Sequence, residues 1–314
     1  MKKLKRITLI ISFILIPILG IKIYFEIENS FLMNTYDTIT TSQIHSSVAH
    51  KTLPQNGYDI HYFVSGSNHS KTILFLHPAF SDHRAFDLQI DHFAQKYRVI
   101  TIDLIGHGLS KAGKSKDQID ASASHILQIL DLEEVEKTHL IGTSMGSLVA
   151  QHFAFQHPEK VHSLTALGGY NIHKENKEVE KAQRTSNLGL IFRALFSMKS
   201  FRRKTAEITC FTPKGKSLFY QSSSLYERKS FLVMQGFQNI IKNRDSIPIP
   251  YPILILTGVH DISLALKMSN QWHADLENST SIVIDNAGHC AHMDQPEEFN
   301  TLVENFILES ESNH

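Results

Sequence analysis

The chain has 314 residues, 42% of them hydrophobic, with 31 basic side chains balanced by 31 acidic ones. That supplies apolar material for one large core or two small ones and excludes a disordered or disulfide-stapled chain. The two cysteines, Cys210 and Cys290, lie far apart and match no zinc spacing.

MKKLKR opens the chain with four basic residues among six, and mostly apolar residues follow from Ile7 to Phe25. A run of about nineteen such residues is long enough to span a bilayer. A cleaved signal shares the basic start, but its apolar region is usually shorter and ends in small residues, which do not follow here. Residues 1–30 are expected to form a signal anchor, the alternatives being a cleaved signal, which would release a secreted protein, or an interfacial helix. Because positive charge stays in the cytoplasm, the rest of the chain is expected to be extracytoplasmic. Residues 31–47 are polar and aperiodic and read as a tether.

From Val48 the pattern changes. YDIHYFVSG alternates like an edge strand, while KTILFLHP and YRVITIDLIG are short β-branched apolar runs typical of buried strands. THLIGTS, VHSLTALGG, YPILILTGVHD and TSIVIDNAGH continue the series. Helical patterns lie between most of them, including HRAFDLQIDHFAQ, ASASHILQILDLE and MGSLVAQHFAFQH. Strand alternating with helix predicts an α/β fold with a mostly parallel sheet covered on both faces. The alternation lapses over 171–247, where helical patterns follow one another, so a helical cap is expected there between two parts of a core, 48–170 and 248–314.

HLIGTSMGSLVAQHF, from 139 to 153, runs from strand into helix through Gly142, Ser144 and Gly146. A nucleophile exposed on so tight a turn needs small neighbours, and the start of the helix places the Met145 amide where an oxyanion would form. A serine hydroxyl also needs a base, and the base an orienting acid. GVHD delivers Asp261 just past one strand, and NAGH delivers His289 just past the last.

These segments, with LHPAFSDHRAF and DLIGHGLS, make the region from about Val48 to Leu308 similar to the α/β-hydrolases of the serine esterase and lipase type. The resemblance implies that the cap follows the sixth strand, with Ser144 as nucleophile, His289 as base and Asp261 as acid. Glu175 is the only carboxylate near the alternative acid position after the sixth strand. The resemblance implies an oxyanion hole of the Ala79 and Met145 amides, although His77-Pro78 replaces the family's usual His-Gly. His77, His107 and Asp103 are read as fixing loops, His260 as a turn residue and Cys290 as packing. His289, Cys290 and His292 lack a second ligand cluster, so no metal is expected, and no cofactor is called for.

Residues 171–247 hold 15 Lys or Arg against 6 Asp or Glu, a surplus of nine. No nucleic-acid motif accompanies that charge. NLGLIFRALFSMKSFRRK reads either as a membrane-surface helix, with Arg202, Arg203 and Lys204 at the surface, or as a pocket roof whose charges are solvated. The expected function is hydrolysis of small-molecule or lipid-like carboxylic esters through an acyl-enzyme. Alternatives are acyl transfer, peptide or carbon-carbon bond hydrolysis on the same fold, or a ligand-binding relative without catalysis.

Overall fold

The computed structural model describes residues 17–24, 27, 48–244 and 249–312. The expected tether lies outside the described residues, as does most of the expected anchor, of which 17–24 and 27 are described and helical. Among the described residues no helix is long and apolar enough to cross a membrane.

Eight strands form one sheet: β1 (Ala49–Gln55), β2 (Tyr58–Ser65), β3 (Thr72–Leu76), β4 (Arg98–Ile102), β5 (Thr138–Thr143), β6 (Val161–Leu167), β7 (Ile253–Gly258) and β8 (Ser279–Ile284). Their order is β1-β2-β4-β3-β5-β6-β7-β8, antiparallel through β1, β2 and β4 and parallel from there on. Every residue of β3, β5 and β7 is buried, as strands covered on both faces must be. The edge is β1 and not Tyr58–Ser65, which pairs on both sides. β1 carries no strong apolar alternation because most of its residues are exposed, and it includes Lys51 and Pro54, which blunt an edge against further pairing.

The period of two along each strand divides the core. Leu74, Leu76 and Leu140 join the face covered by α2 (Ser122–Leu132) and α3 (Met145–Gln156). Ile73, Phe75 and Ile141 join the face covered by α1 (Asp87–Phe93) and the C-terminal helix α8 (Pro296–Ser312). Each fully buried side chain such as Phe75 contributes about 1.5–3 kcal/mol relative to exposure.

Between β6 and β7 the described residues form only helical elements: α4 (Lys177–Phe196), α5 (Met198–Thr209), α6 (Pro213–Ser222), a 3₁₀ segment (Arg228–Gly236) and one turn (Phe237–Ile240). Ser197 caps α5 by accepting from the Ser200 amide at 3.2 Å, and Thr212 caps α6 ahead of Pro213. A small separate core gathers Leu190, Ala194, Phe201 and Tyr226. Arg202, Arg203 and Lys204 do not form the expected surface trio. Arg203 is only 2% exposed, and Arg202 donates to the carbonyls of Ser223 at 3.0 Å and Tyr226 at 3.2 Å. Only Lys204 is exposed. Long arginine stems substitute for apolar side chains on α5, and the Arg202 guanidinium caps carbonyls at the C-terminal end of α6. α7 (Ser263–Ala274) returns the chain from β7 to β8.

Candidate active site

Ser144 occupies the turn between β5 and α3 with φ 52° and ψ −115°. A non-glycine residue holds such a conformation only when its surroundings enforce it. Here the Ser144 amide donates to the Leu167 carbonyl at 2.7 Å, and the Ser147 amide returns to the Ser144 carbonyl at 2.9 Å. The flanking glycines are sterically required. A Cβ on Gly142 would fall 2.4 Å from the Gly146 carbonyl oxygen, and one on Gly146 only 1.9 Å from that of Leu76. The turn is therefore wedged against the end of β3, beside the loop that carries Ala79. Ser144 is half-buried and Met145 buried. The first amides of α3 have no acceptor within the helix.

His289 follows β8 and Asp261 follows β7. His289 Nδ1 pairs with Asp261 Oδ1 at 2.8 Å, and the Ile262 amide donates to the same oxygen at 2.6 Å. The two loops run in close contact: His260 N–H donates to the Ala287 carbonyl at 2.9 Å, and a Cβ on Gly258 would lie 2.2 Å from that oxygen. The His289 ring rests on Gly168, where a Cβ would come within 2.8 Å of Nδ1 and Cε1. Gly168 directly follows Leu167, to which Ser144 is bonded, so the serine turn and the imidazole meet at the tip of β6. Burial works against the imidazolium, but the attraction and hydrogen bond of Asp261 outweigh it and raise the His289 pKa. Glu175, the alternative acid, is instead exposed and bonded to Asn243.

The loop after β3 is fixed by His77. Its Nδ1 donates to the Pro78 carbonyl at 2.8 Å and its Nε2 accepts from the Leu104 amide at 3.0 Å. Ser81 adds its hydroxyl to the same Pro78 carbonyl at 3.0 Å. Burial lowers the His77 pKa, and the buried His107 is pushed down to about 3. Asp103 accepts from the His83 amide and His83 Nδ1, both at 2.8 Å, and from the Leu109 amide at 2.8 Å. Gly108, with φ 49°, leaves room for that carboxylate, since a Cβ would lie 2.2 Å from it. Asp82, His83 and Asp103 bring candidate metal-ligating atoms within 4.8 Å of one another. Their oxygens, however, point at donors, those of Asp82 being held by the Arg84 side chain at 2.9 and 2.5 Å. His292 packs between Phe86 and Phe299, and burial holds it down at about 3.

Two features near the site escaped the sequence. Phe80, next to Ala79 and at φ 70°, is enclosed by Phe201, Tyr226 and Phe231 of the insertion, with ring centroids 5.2, 5.2 and 5.8 Å away. Nothing local marks these residues as partners. Asp294 reaches both the insertion and the histidine loop. Its position just before the Gln-Pro-Glu-Glu start of α8 signals only a helix cap.

A family model described as the α/β hydrolase fold matches residues 71–296, and the chain belongs to that family. It is 24% identical over 256 residues to the (E)-2-((N-methylformamido)methylene)succinate hydrolase of Acinetobacter baylyi, covering 80% of this chain and 95% of that protein. It is 25% identical over 258 residues to monoacylglycerol lipase ABHD6 of Bos taurus, covering 76% of each. Among solved structures, one titled as a membrane phospholipase A and bacterial virulence factor superposes with a TM-score of 0.71 at 21% identity, covering 98% of this chain and 99% of that one. At that identity the likeness is one of fold.

Proposed function

We propose that the protein is a serine hydrolase of carboxylic esters, with lipid-like acyl esters as its substrate class. The observation that carries this reading is Ser144 on its strained strand-to-helix turn, sharing the tip of β6 with a His289 imidazole oriented by Asp261 at 2.8 Å. Neutral His289 takes the Ser144 proton as Oγ attacks the ester carbonyl carbon. The tetrahedral oxyanion faces the Ala79 and Met145 amides, which are held in place by the loop and helix and need no reorganisation. Collapse expels the alcohol, which receives its proton from His289. Water then attacks the acyl-enzyme by the same route and restores Ser144.

The aromatic insertion over the Ala79 loop supports an apolar acyl group, as does the similarity to a monoacylglycerol lipase and, in fold, to a membrane phospholipase A. The insertion acts as a lid in this reading. The outward side of α4 presents Leu188, Phe192 and Leu195 at exposures of 63, 48 and 62%. That row takes the membrane-facing role first expected of Arg202 and Arg203, and the N-terminal segment anchors the domain with its site outside the cytoplasm. The test is fluorophosphonate labelling of the wild type and of Ser144→Ala, followed by turnover of esters graded in acyl length. Labelling confined to the wild type and a preference for longer acyl chains are expected; equal labelling of both proteins would remove the mechanism.

A further inference from the structure

Asp294 lies five residues beyond His289 and is 7% exposed, yet its carboxylate joins two distant parts of the chain. Oδ2 accepts from the Gly288 amide at 2.9 Å and the Phe211 amide at 2.8 Å. Oδ1 accepts from the Thr212 amide at 2.8 Å and the Thr212 hydroxyl at 2.7 Å. Two oxygens thus meet four donors, three of them from the corner between α5 and α6. Gly215, in the first turn of α6, makes the space: a Cβ there would lie 2.2 Å from Oδ1.

The same corner grips the histidine loop from its other side. The Cys290 amide donates to the Thr209 carbonyl at 3.0 Å. His289 is therefore bracketed, its preceding residue held through Asp294 and its following residue held by Thr209. The corner also reaches the acid loop, since the Phe211 ring stacks on His260, beside Asp261, with centroids 3.8 Å apart and planes 11° from parallel.

We propose that Asp294 is a positioning residue: by locking the α5–α6 corner of the insertion onto the histidine loop, it sets where the His289 imidazole stands relative to Ser144. The catalytic part of this inference rests on the serine-hydrolase reading. The mechanical part does not. A carboxylate suits the joint because both oxygens only accept, whereas an amide would turn N–H groups toward N–H donors. Small displacements of a catalytic base are costly because the reacting atoms must be held close to their productive geometry.

The experiment uses the full chain with Asp294→Asn and, separately, Gly215→Ala, which crowds the carboxylate while keeping its charge. Circular dichroism first establishes that each variant is folded, and if Asp294→Asn does not fold, Gly215→Ala carries the test. Two readouts follow. The first is kcat and KM on a short soluble ester. The second is the rate at which an aromatic disulfide reagent reaches Cys210 and Cys290, thiols 4% and 0% exposed on the two sides of the joint. Expected are a fall in kcat of roughly 10- to 100-fold with KM changed by less than about twofold, and thiol labelling faster by about tenfold or more as the joint opens locally. Unchanged kcat in a folded variant overturns the positioning role. Lower kcat with thiols as protected as in the wild type overturns it too, since the effect would not pass through the joint. Should Ser144→Ala retain full turnover, the hydrolase reading fails independently, and with it the positioning role; thiol protection in Asp294→Asn then decides whether the mechanical joint exists.

Discussion

At Ser144 a backbone cost and a chemical requirement coincide. A non-glycine residue at φ 52° stores about 1–3 kcal/mol, which the bond to Leu167 and the packing of Gly142 and Gly146 retain. Ser144→Gly is therefore expected to raise Tm by roughly 2–4 °C while abolishing turnover, as read by calorimetry beside an ester assay. A lower Tm would show that the conformation is unstrained. Ser144→Ala and His289→Ala should each lower turnover by about a thousandfold or more, and Asp261→Asn by somewhat less, because such groups act as a unit. Glu175→Gln should leave turnover unchanged; a loss larger than that of Asp261→Asn would reassign the acid. The pH profile follows from the sign of the His289 shift. Asp261 favours the imidazolium, so the neutral base is lost on acidification at a pH above the ordinary histidine value of about 6.5. In Asp261→Asn that limb of kcat/KM should move to lower pH even as the rate falls. A limb that stays fixed would mean that Asp261 does not set the charge of His289.

Between elements, glycines report where backbones approach. Gly146 lets α3 start against the end of β3, and a methyl group there would strike the Leu76 carbonyl at 1.9 Å, an atom that cannot swing away. Gly146→Ala should destabilise by about 1–3 kcal/mol through overpacking and disturb the neighbouring Ala79 loop as well. Gly189 in α4 meets nothing within 4 Å of a Cβ, so Gly189→Ala should stabilise by about 0.5–1 kcal/mol through its helix preference. Denaturant titration of the two variants gives the comparison. Equal and opposite effects to these would show that the approach of β3 to α3 is looser than the contact implies.

For the molecule as a whole, a formally neutral chain distributes its charge unevenly. The surplus of nine positive charges over 171–247 survives in composition, but Arg202 and Arg203 spend theirs inside the insertion. The C-terminal half of α4 exposes Leu188, Phe192 and Leu195. Protein lacking residues 1–30 is expected to bind anionic vesicles better than neutral ones, more weakly as salt screens the charge, and less well after Leu188→Ser with Leu195→Ser. Indifference to both lipid charge and these substitutions would leave the insertion as an ordinary pocket cover. Full-length protein should stay with membranes through a high-salt wash and be open to protease added outside spheroplasts. Release or protection would count against an outward-facing anchor.

The sequence alone determined what is local or periodic. Buried runs marked the parallel strands, Gly142, Ser144 and Gly146 marked the turn, and strand ends pointed to Asp261 and His289, which the structure brings together from 28 residues apart. It also located the helical insertion after the sixth strand. Only the tertiary structure decided what each inward-facing residue faces. Periodicity reports that a side chain turns away from water but not which partner it meets. β1 therefore displaced β2 from the edge, and Arg202 and Arg203 turned inward against the reading of their charge. Phe80 found its aromatic neighbours and Asp294 its donors 82 and 83 residues away because packing and hydrogen bonding couple segments whose separation no local pattern encodes.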